Sequence, residues 1–168
     1  MVTVNDVKRL REATGAGVMD AKRALEEASG DFEQARRLLR ERGMAAAAKR
    51  SERSTGQGTV EAYIHVGGRI GALVELNCET DFVARTDTFR QLARDIAMQV
   101  AAMTPLALTV DELPADVVGD PEQQALLTQS FIKDGSRTIQ DLIQEVIAQT
   151  GENVRVARFA RFALGGAA

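Results

Sequence analysis

Apolar positions along this chain change their spacing part-way, and the change divides it in two. Through the first forty residues the spacing is helical. Val4, Val7 and Leu10 form one stripe behind a cap at Thr3 or Asn5, and T-G-A-G at 14–17 turns the chain. Val18, Ala21, Leu25 and Ala28 form a second stripe, closed by Gly30. Asp31 caps a third helix carrying Phe32, Ala35, Leu38 and Leu39, which is expected to stop at Gly43. The following M-A-A-A-A-K-R has high helix propensity and no apolar stripe, so it reads as a helical tether.

Beyond R-S-E-R-S-T-G-Q-G (50–58), a linker by its Ser, Gly and charge, the spacing becomes alternating. T-V-E-A-Y-I-H-V (59–66), a Gly67-Gly68 turn and R-I-G-A-L-V-E-L-N-C (69–78) predict a β-hairpin. T-F-R-Q at 88–91 is a capping box opening a helix with Phe89, Leu92, Ala93, Ile96, Ala97 and Val100 on its buried face. Pro105, Pro114 and Gly119 punctuate the middle, and D-P-E-Q (120–123) starts another helix. Ile139, Leu142, Ile143, Val146 and Ile147 give an amphipathic helix ended by Thr150-Gly151, and the β-prone N-V-R-V-A-R-F-A-R-F (153–162) supplies a third antiparallel strand. The expected fold class is α+β, with a three-helix N-terminal domain (1–43), a tether and linker (44–58), and a core domain (59–168) whose small three-stranded antiparallel sheet is covered by helices.

Composition narrows the function more than the fold. An apolar fraction of 45% in 168 residues permits a real core, and no apolar run approaches the ~20 residues of a membrane span. The opening M-V-T-V-N-D-V-K lacks the pattern of a signal or transit peptide, and the single cysteine, Cys78, fits a reducing cytoplasm. Net charge is -3, against a life on phosphate backbones, so no direct nucleic-acid partner is expected. The charge is uneven: residues 1–53 hold 12 Lys and Arg against 9 Asp and Glu, and the remainder holds 9 against 15.

No catalytic constellation is visible. His65 and Cys78 stand on the two arms of the hairpin, so a thiolate nucleophile can be imagined, although a small buried cysteine and a strand-end histidine are the plainer reading. One His and one Cys cannot build a metal cluster, and the glycines at 15–17 and 67–71 lack the strand–loop–helix setting of a phosphate cradle. Neither metal nor cofactor is expected. The unusual stretch is N-C-E-T-D-F-V-A-R (77–85), where Phe82 follows two acids and a threonine at a strand end. Phe82 lies one heptad before Phe89 and could continue the same buried face. Alternatively, Thr80–Arg85 is a separate turn that offers the ring and Asp81 to a partner. Spacing leaves both readings open.

Three segments resemble the bacterial elongation factor Ts family, the nucleotide-exchange factors of elongation factor Tu: V-K-R-L-R-E-A-T-G-A-G-V-M-D-A-K-R-A-L (7–25), E-L-N-C-E-T-D-F-V-A-R (75–85) and T-I-Q-D-L-I-Q-E-V-I-A-Q-T-G-E-N-V-R-V-A-R-F (138–159). The resemblance implies an N-terminal domain of the ubiquitin-associated type followed by the family's core domain, and an exchange factor with no covalent catalysis of its own. It implies that Thr80, Asp81, Phe82 and Val83 intrude near the Mg2+ site of the partner GTPase. It implies further that Arg11, Val18, Met19 and Lys22 grip the partner's nucleotide domain, where the alternative for Val18 and Met19 is ordinary packing among the three helices. Longer members carry a second core half and a helical hairpin. This chain has neither, so the resemblance is to the short type, and a homodimer through the core domain is expected.

Overall fold

A computed structural model describes residues 2–166, an α+β fold of two units. The first unit comprises residues 2–53 together with Gln144–Asn153. Its helices are α1 (Val4–Thr14), α2 (Val18–Glu27) and α3 (Phe32–Arg50). Thr3 rather than Asn5 caps α1: its Oγ1 accepts from Asp6 N at 3.2 Å while its own N–H donates to the Asp6 carboxylate at 2.9 Å. Gly15 closes α1 in the left-handed region, φ 68°, and Asp31 caps α3 by accepting from Gln34 N at 2.8 Å.

Leu10, Ala21, Ala24, Leu25, Ala28 and Ala35 form the core of this unit, with Phe32, Leu38 and Leu39 half-buried around it. Alanine at the centre lets three short helices approach closely, but it gives the unit little apolar area to bury. Two expectations fail here. Val18, the first residue of α2, lies outside the core, and the buried face of that helix starts at Ala21. The third helix does not stop at Gly43. It continues to Arg50, since Gly43 is absent from the left-handed residues that end helices and a mid-helix glycine costs only ~1 kcal/mol, which the strong helix formers on both sides absorb.

The second unit comprises residues 54–143 and 154–166. Strands β1 (Gln57–Ile64) and β2 (Ile70–Cys78) make the expected hairpin, then come a one-turn helix α4 (Asp81–Ala84), the long helix α5 (Asp87–Met103) and a second one-turn helix α6 (Pro121–Gln124). A small hairpin, β3 (Ser130–Phe131) with β4 (Asp134–Thr138), leads to α7 (Ile139–Thr150) and to the last strand β5 (Val154–Ala163). Helix α7 starts in this unit and ends in the first one.

The three-stranded sheet is antiparallel in the order β1-β2-β5. Its turn is longer than two residues: the strands stop at Ile64 and resume at Ile70, with Gly67 and Gly68 at φ 92° and 68° and His65 N donating to Ile70 O at 2.9 Å. Helix α5 crosses one face, burying Phe89, Leu92, Ile96 and Val100 on Ala72, Val74 and Leu76 of β2. The cap of α5 is Thr86, not the Thr88 of the predicted box, so the helix begins one residue before that threonine. Position 88 then sits inside the first turn, where its hydroxyl cannot cap.

Residues 104–131 pack through polar side chains that periodicity does not reveal. Gln99 and Gln129 are both fully buried. Gln99 Nε2 donates to Gln129 Oε1 at 3.2 Å and to Ser130 O at 3.0 Å, and its Oε1 accepts from Ile132 N at 3.0 Å. The buried amide is thus satisfied at both ends and ties β3–β4 to α5. The helix predicted after Asp120 is a single turn, because Ala125 leaves helical geometry at ψ 127°. Among the described residues no helix is long and apolar enough to cross a membrane.

Candidate functional site

The turn between β2 and α5 is built by two threonines. Thr80, in extended geometry at the end of β2, caps α4 by accepting from Val83 N at 3.3 Å. Thr86 caps α5 by accepting from Phe89 N at 3.3 Å, while its hydroxyl proton goes to Val83 O at 2.8 Å. The buried thiol of Cys78 donates to Thr80 O at 3.1 Å, which also accepts from Ala84 N at 3.3 Å. Short-range bonds therefore run from the strand end to the helix start.

That framework decides where Phe82 points. Val83 and Ala84 face inward and are buried, which turns the neighbouring residues Asp81 and Phe82 outward. The ring is 80% exposed, whereas Phe89, seven residues later, is fully buried. Of the two readings left open by spacing, the core peg is excluded. A helix running unbroken from 82 to 89 would put both rings on one face, but Thr86 restarts the helix and resets its phase. Beside the ring, Asp81 pairs with Arg85 at 2.8 Å across one turn, both side chains open to water. The four predicted residues Thr80, Asp81, Phe82 and Val83 occupy one turn, three exposed and Val83 anchored in the core.

In the N-terminal unit, Arg11 lies in the last turn of α1, and Val18, Met19 and Lys22 lie in the first part of α2. All four are on the surface. Val18 is 53% and Met19 60% exposed, so neither packs inside the three-helix module. Lys22 has an exposed i,i+4 partner, Glu26 at 3.7 Å, a contact too weakly held to lock the ammonium.

Two other features change the picture. His65 and Cys78 are at opposite ends of the hairpin, since Cys78 pairs with Gln57 while His65 follows Ile64. At ~3.4 Å per residue the hairpin holds them roughly 25 Å apart, so no thiolate–imidazole pair can form. His65 instead meets the Tyr63 hydroxyl at 3.1 Å. Among the described residues no three His, Cys, Asp or Glu side chains group as metal ligands.

The other feature is the sheet face away from α5, which sequence reasoning did not assemble. Register sets Ala62 beside Leu73 and Leu73 beside Ala160, with Val60, Ile64 and Phe162 around them, all exposed and Phe162 by 70%. An ion pair crosses this face, Arg158 Nε to Glu75 Oε2 at 2.7 Å. The Arg158 bond, then one from Asn77, holds the Glu75 carboxyl below its usual range. Alternation along each strand was the available signal, but only the register between strands shows that the outward residues form one patch. Arg161, on the same strand, does not lie on this face. Its guanidinium donates to Ala101 O, at the carbonyl end of α5, at 2.9 Å.

Comparisons with known proteins agree with this architecture. The family model for elongation factor TS matches residues 26–124. The chain is 46% identical over 191 aligned positions to "Elongation factor Ts" of Rubrobacter xylanophilus, covering 96% of this chain and 98% of that one. It is 48% identical to the protein of the same name from Carboxydothermus hydrogenoformans over 195 positions (98% and 90%), and 44% identical to that of Thermotoga maritima over 192 (98% and 96%). A 168-residue chain cannot fill alignments of that length, so each relative has stretches opposite gaps here. Near-complete coverage in both directions, at close to half identity, leaves one conclusion: the chain belongs to the elongation factor Ts family, with a role in translation elongation.

Proposed function

We propose that this protein is a guanine nucleotide exchange factor for elongation factor Tu, working in the cytoplasm without covalent chemistry of its own. The observation that carries the reading is the Phe82 ring, large, apolar and 80% exposed on a turn fixed at both ends. Leaving such a ring in water is unfavourable unless a partner covers it. The ring and the Asp81 carboxylate enter the Mg2+ site of the GDP-bound GTPase. Mg2+ neutralises the nucleotide phosphates and bridges them to protein, so displacing the groups that hold it weakens GDP. The factor binds the loosened state more tightly than the closed one and shifts its population.

One ring cannot do this alone. A thousandfold faster release needs about 4 kcal/mol of differential binding, at ~1.4 kcal/mol per factor of ten, and burying one Phe side chain gives roughly 1.5–3 kcal/mol. The exposed Arg11, Val18, Met19 and Lys22 supply a second contact that anchors the factor on its partner. Val18 is shorter than a methionine at that place would be, which makes this contact shallow. The apolar sheet face centred on Leu73 supports a homodimer through the core domain, since closed two-fold pairing is the commonest way for identical chains to cover such a patch.

The test is stopped-flow release of fluorescent GDP from elongation factor Tu with and without this chain. Acceleration that saturates with factor concentration is expected. Binding to the GTPase with unchanged release would instead describe an adaptor. Sedimentation equilibrium at micromolar concentration checks the dimer, with twice 18.1 kDa expected and 18.1 kDa throughout refuting it.

A further inference from the structure

The turn that presents Phe82 is too short to hold itself. Helix α4 has four residues, far below the ~12–15 at which an isolated helix becomes marginally stable in water. Its winding depends on what ties its ends, and at the C-terminal end one side chain adds to the backbone bonds from Arg85 N to Phe82 O and from Thr86 N to Val83 O. Thr86 Oγ1 donates to Val83 O at 2.8 Å and accepts from Phe89 N at 3.3 Å. A hydroxyl has one proton and two lone pairs, so both bonds form together. The N–H of Thr86 reaches the same Val83 carbonyl at 3.0 Å, and Val83 N is bound to Thr80 at 3.3 Å. The residue that follows Phe82 is thereby fixed at its amide by one threonine and at its carbonyl by the other. Capping α5 would need only an acceptor; the donated bond back to Val83 does something the helix start does not require.

We propose that Thr86 is a positioning residue for nucleotide exchange, its hydroxyl latching α4 so that Phe82 is already presented before the partner arrives. The inference rests on the reading of Phe82 as the group that enters the partner. Without the latch the turn frays, and its ordering entropy is charged to the step in which the ring inserts. The loss therefore falls on the maximal exchange rate, not on the concentration that half-saturates it, which the N-terminal contact sets.

The experiment compares Thr86→Val, which keeps the β-branched shape but neither bond, with Thr86→Ser, which keeps both, each in the native chain and in a Phe82→Ala background. GDP release from elongation factor Tu is measured against factor concentration, with the thermal midpoint and the amide hydrogen exchange of Val83 and Ala84 followed in the same proteins. Thr86→Val is expected to slow maximal exchange about fivefold, equivalent to about 1 kcal/mol. It should speed amide exchange at both positions and lower the midpoint by only about 2–4 °C. Thr86→Ser should restore all three, and in the Phe82→Ala background Thr86→Val should have no further effect on release. An equal slowing with and without the Phe82 ring, a full maximal rate in Thr86→Val, or unchanged amide protection each overturns the latch. Native-rate exchange by Phe82→Ala alone is a separate outcome, and it removes the reading of Phe82 and the latch with it.

Discussion

Phe82 and Phe89 are the same residue one heptad apart, and they have opposite fates. Phe89 begins the buried face of α5, where it packs on the sheet with Leu92, Ile96 and Val100. Phe82 sits on a one-turn helix with its ring in water. Hydrophobicity cannot separate the two, because it is identical. The separation comes from Thr86, whose cap ends one helix phase and starts another, so that Val83 takes the inward direction and the phenylalanine before it is turned out. The difference teaches that a short polar residue between two large apolar ones can decide which of them the protein keeps and which it offers.

The largest effect that should sharpen the contrast is on stability. Phe89→Ala should cost 3–5 kcal/mol in denaturant unfolding, the usual loss for a truncated core ring, while Phe82→Ala should stay within about 0.5 kcal/mol of the native chain. Equal losses would erase the distinction between the two sites. Exchange should show the reverse order. At temperatures where both variants are folded, Phe82→Ala is expected to slow GDP release at least tenfold, and Phe89→Ala to retain most of the native rate per folded molecule.

A smaller effect tests whether presentation and anchoring are separate tasks. Met19→Ala removes an exposed side chain far in sequence from the turn, so it should raise the half-maximal factor concentration severalfold and leave the maximal rate alone. A lowered maximal rate with unchanged half-saturation would merge the two roles.

The smallest expected effect is on acid stability. The Asp6 carboxyl is held below its usual range chiefly by the Thr3 hydroxyl and then by the Thr3 backbone, and that of Glu75 chiefly by Arg158. A carboxyl depressed in the folded state contributes stability above its unfolded pKa, and that contribution disappears as pH falls through the folded value. Asp6→Asn and Glu75→Gln should therefore each flatten the loss of thermal midpoint between neutral pH and the acid side of the carboxylate range, without altering the Phe82–Phe89 contrast. Both groups lie at the surface, half-covered, so a shift of about a degree is the scale to look for. An unchanged acid slope in either variant would mean that its hydrogen bond does not persist in solution.

The sequence by itself determined the elements whose signal is local. Alternation with paired glycines specifies a hairpin, 3.6-residue spacing specifies α5 and α7, and Asp31 places a carboxylate where the orphan amides of α3 need one. The Asn77–Arg85 stretch was also visible as unusual, but whether its ring was core or surface was not, because one heptad is compatible with either until the helix phase is known. Tertiary structure decided that question through the burial of Val83 and Ala84. It also decided what periodicity cannot encode. Gly43 stays helical because its neighbours favour the helix, and Gln99 is buried because Gln129, Ser130 and Ile132 complete its hydrogen bonds from about thirty residues away. The outward apolar patch arises only when strand register sets Leu73 between Ala62 and Ala160. Local hydrogen bonds can be read from neighbouring letters, whereas burial and register belong to pairs of segments and exist only once the chain has closed on itself.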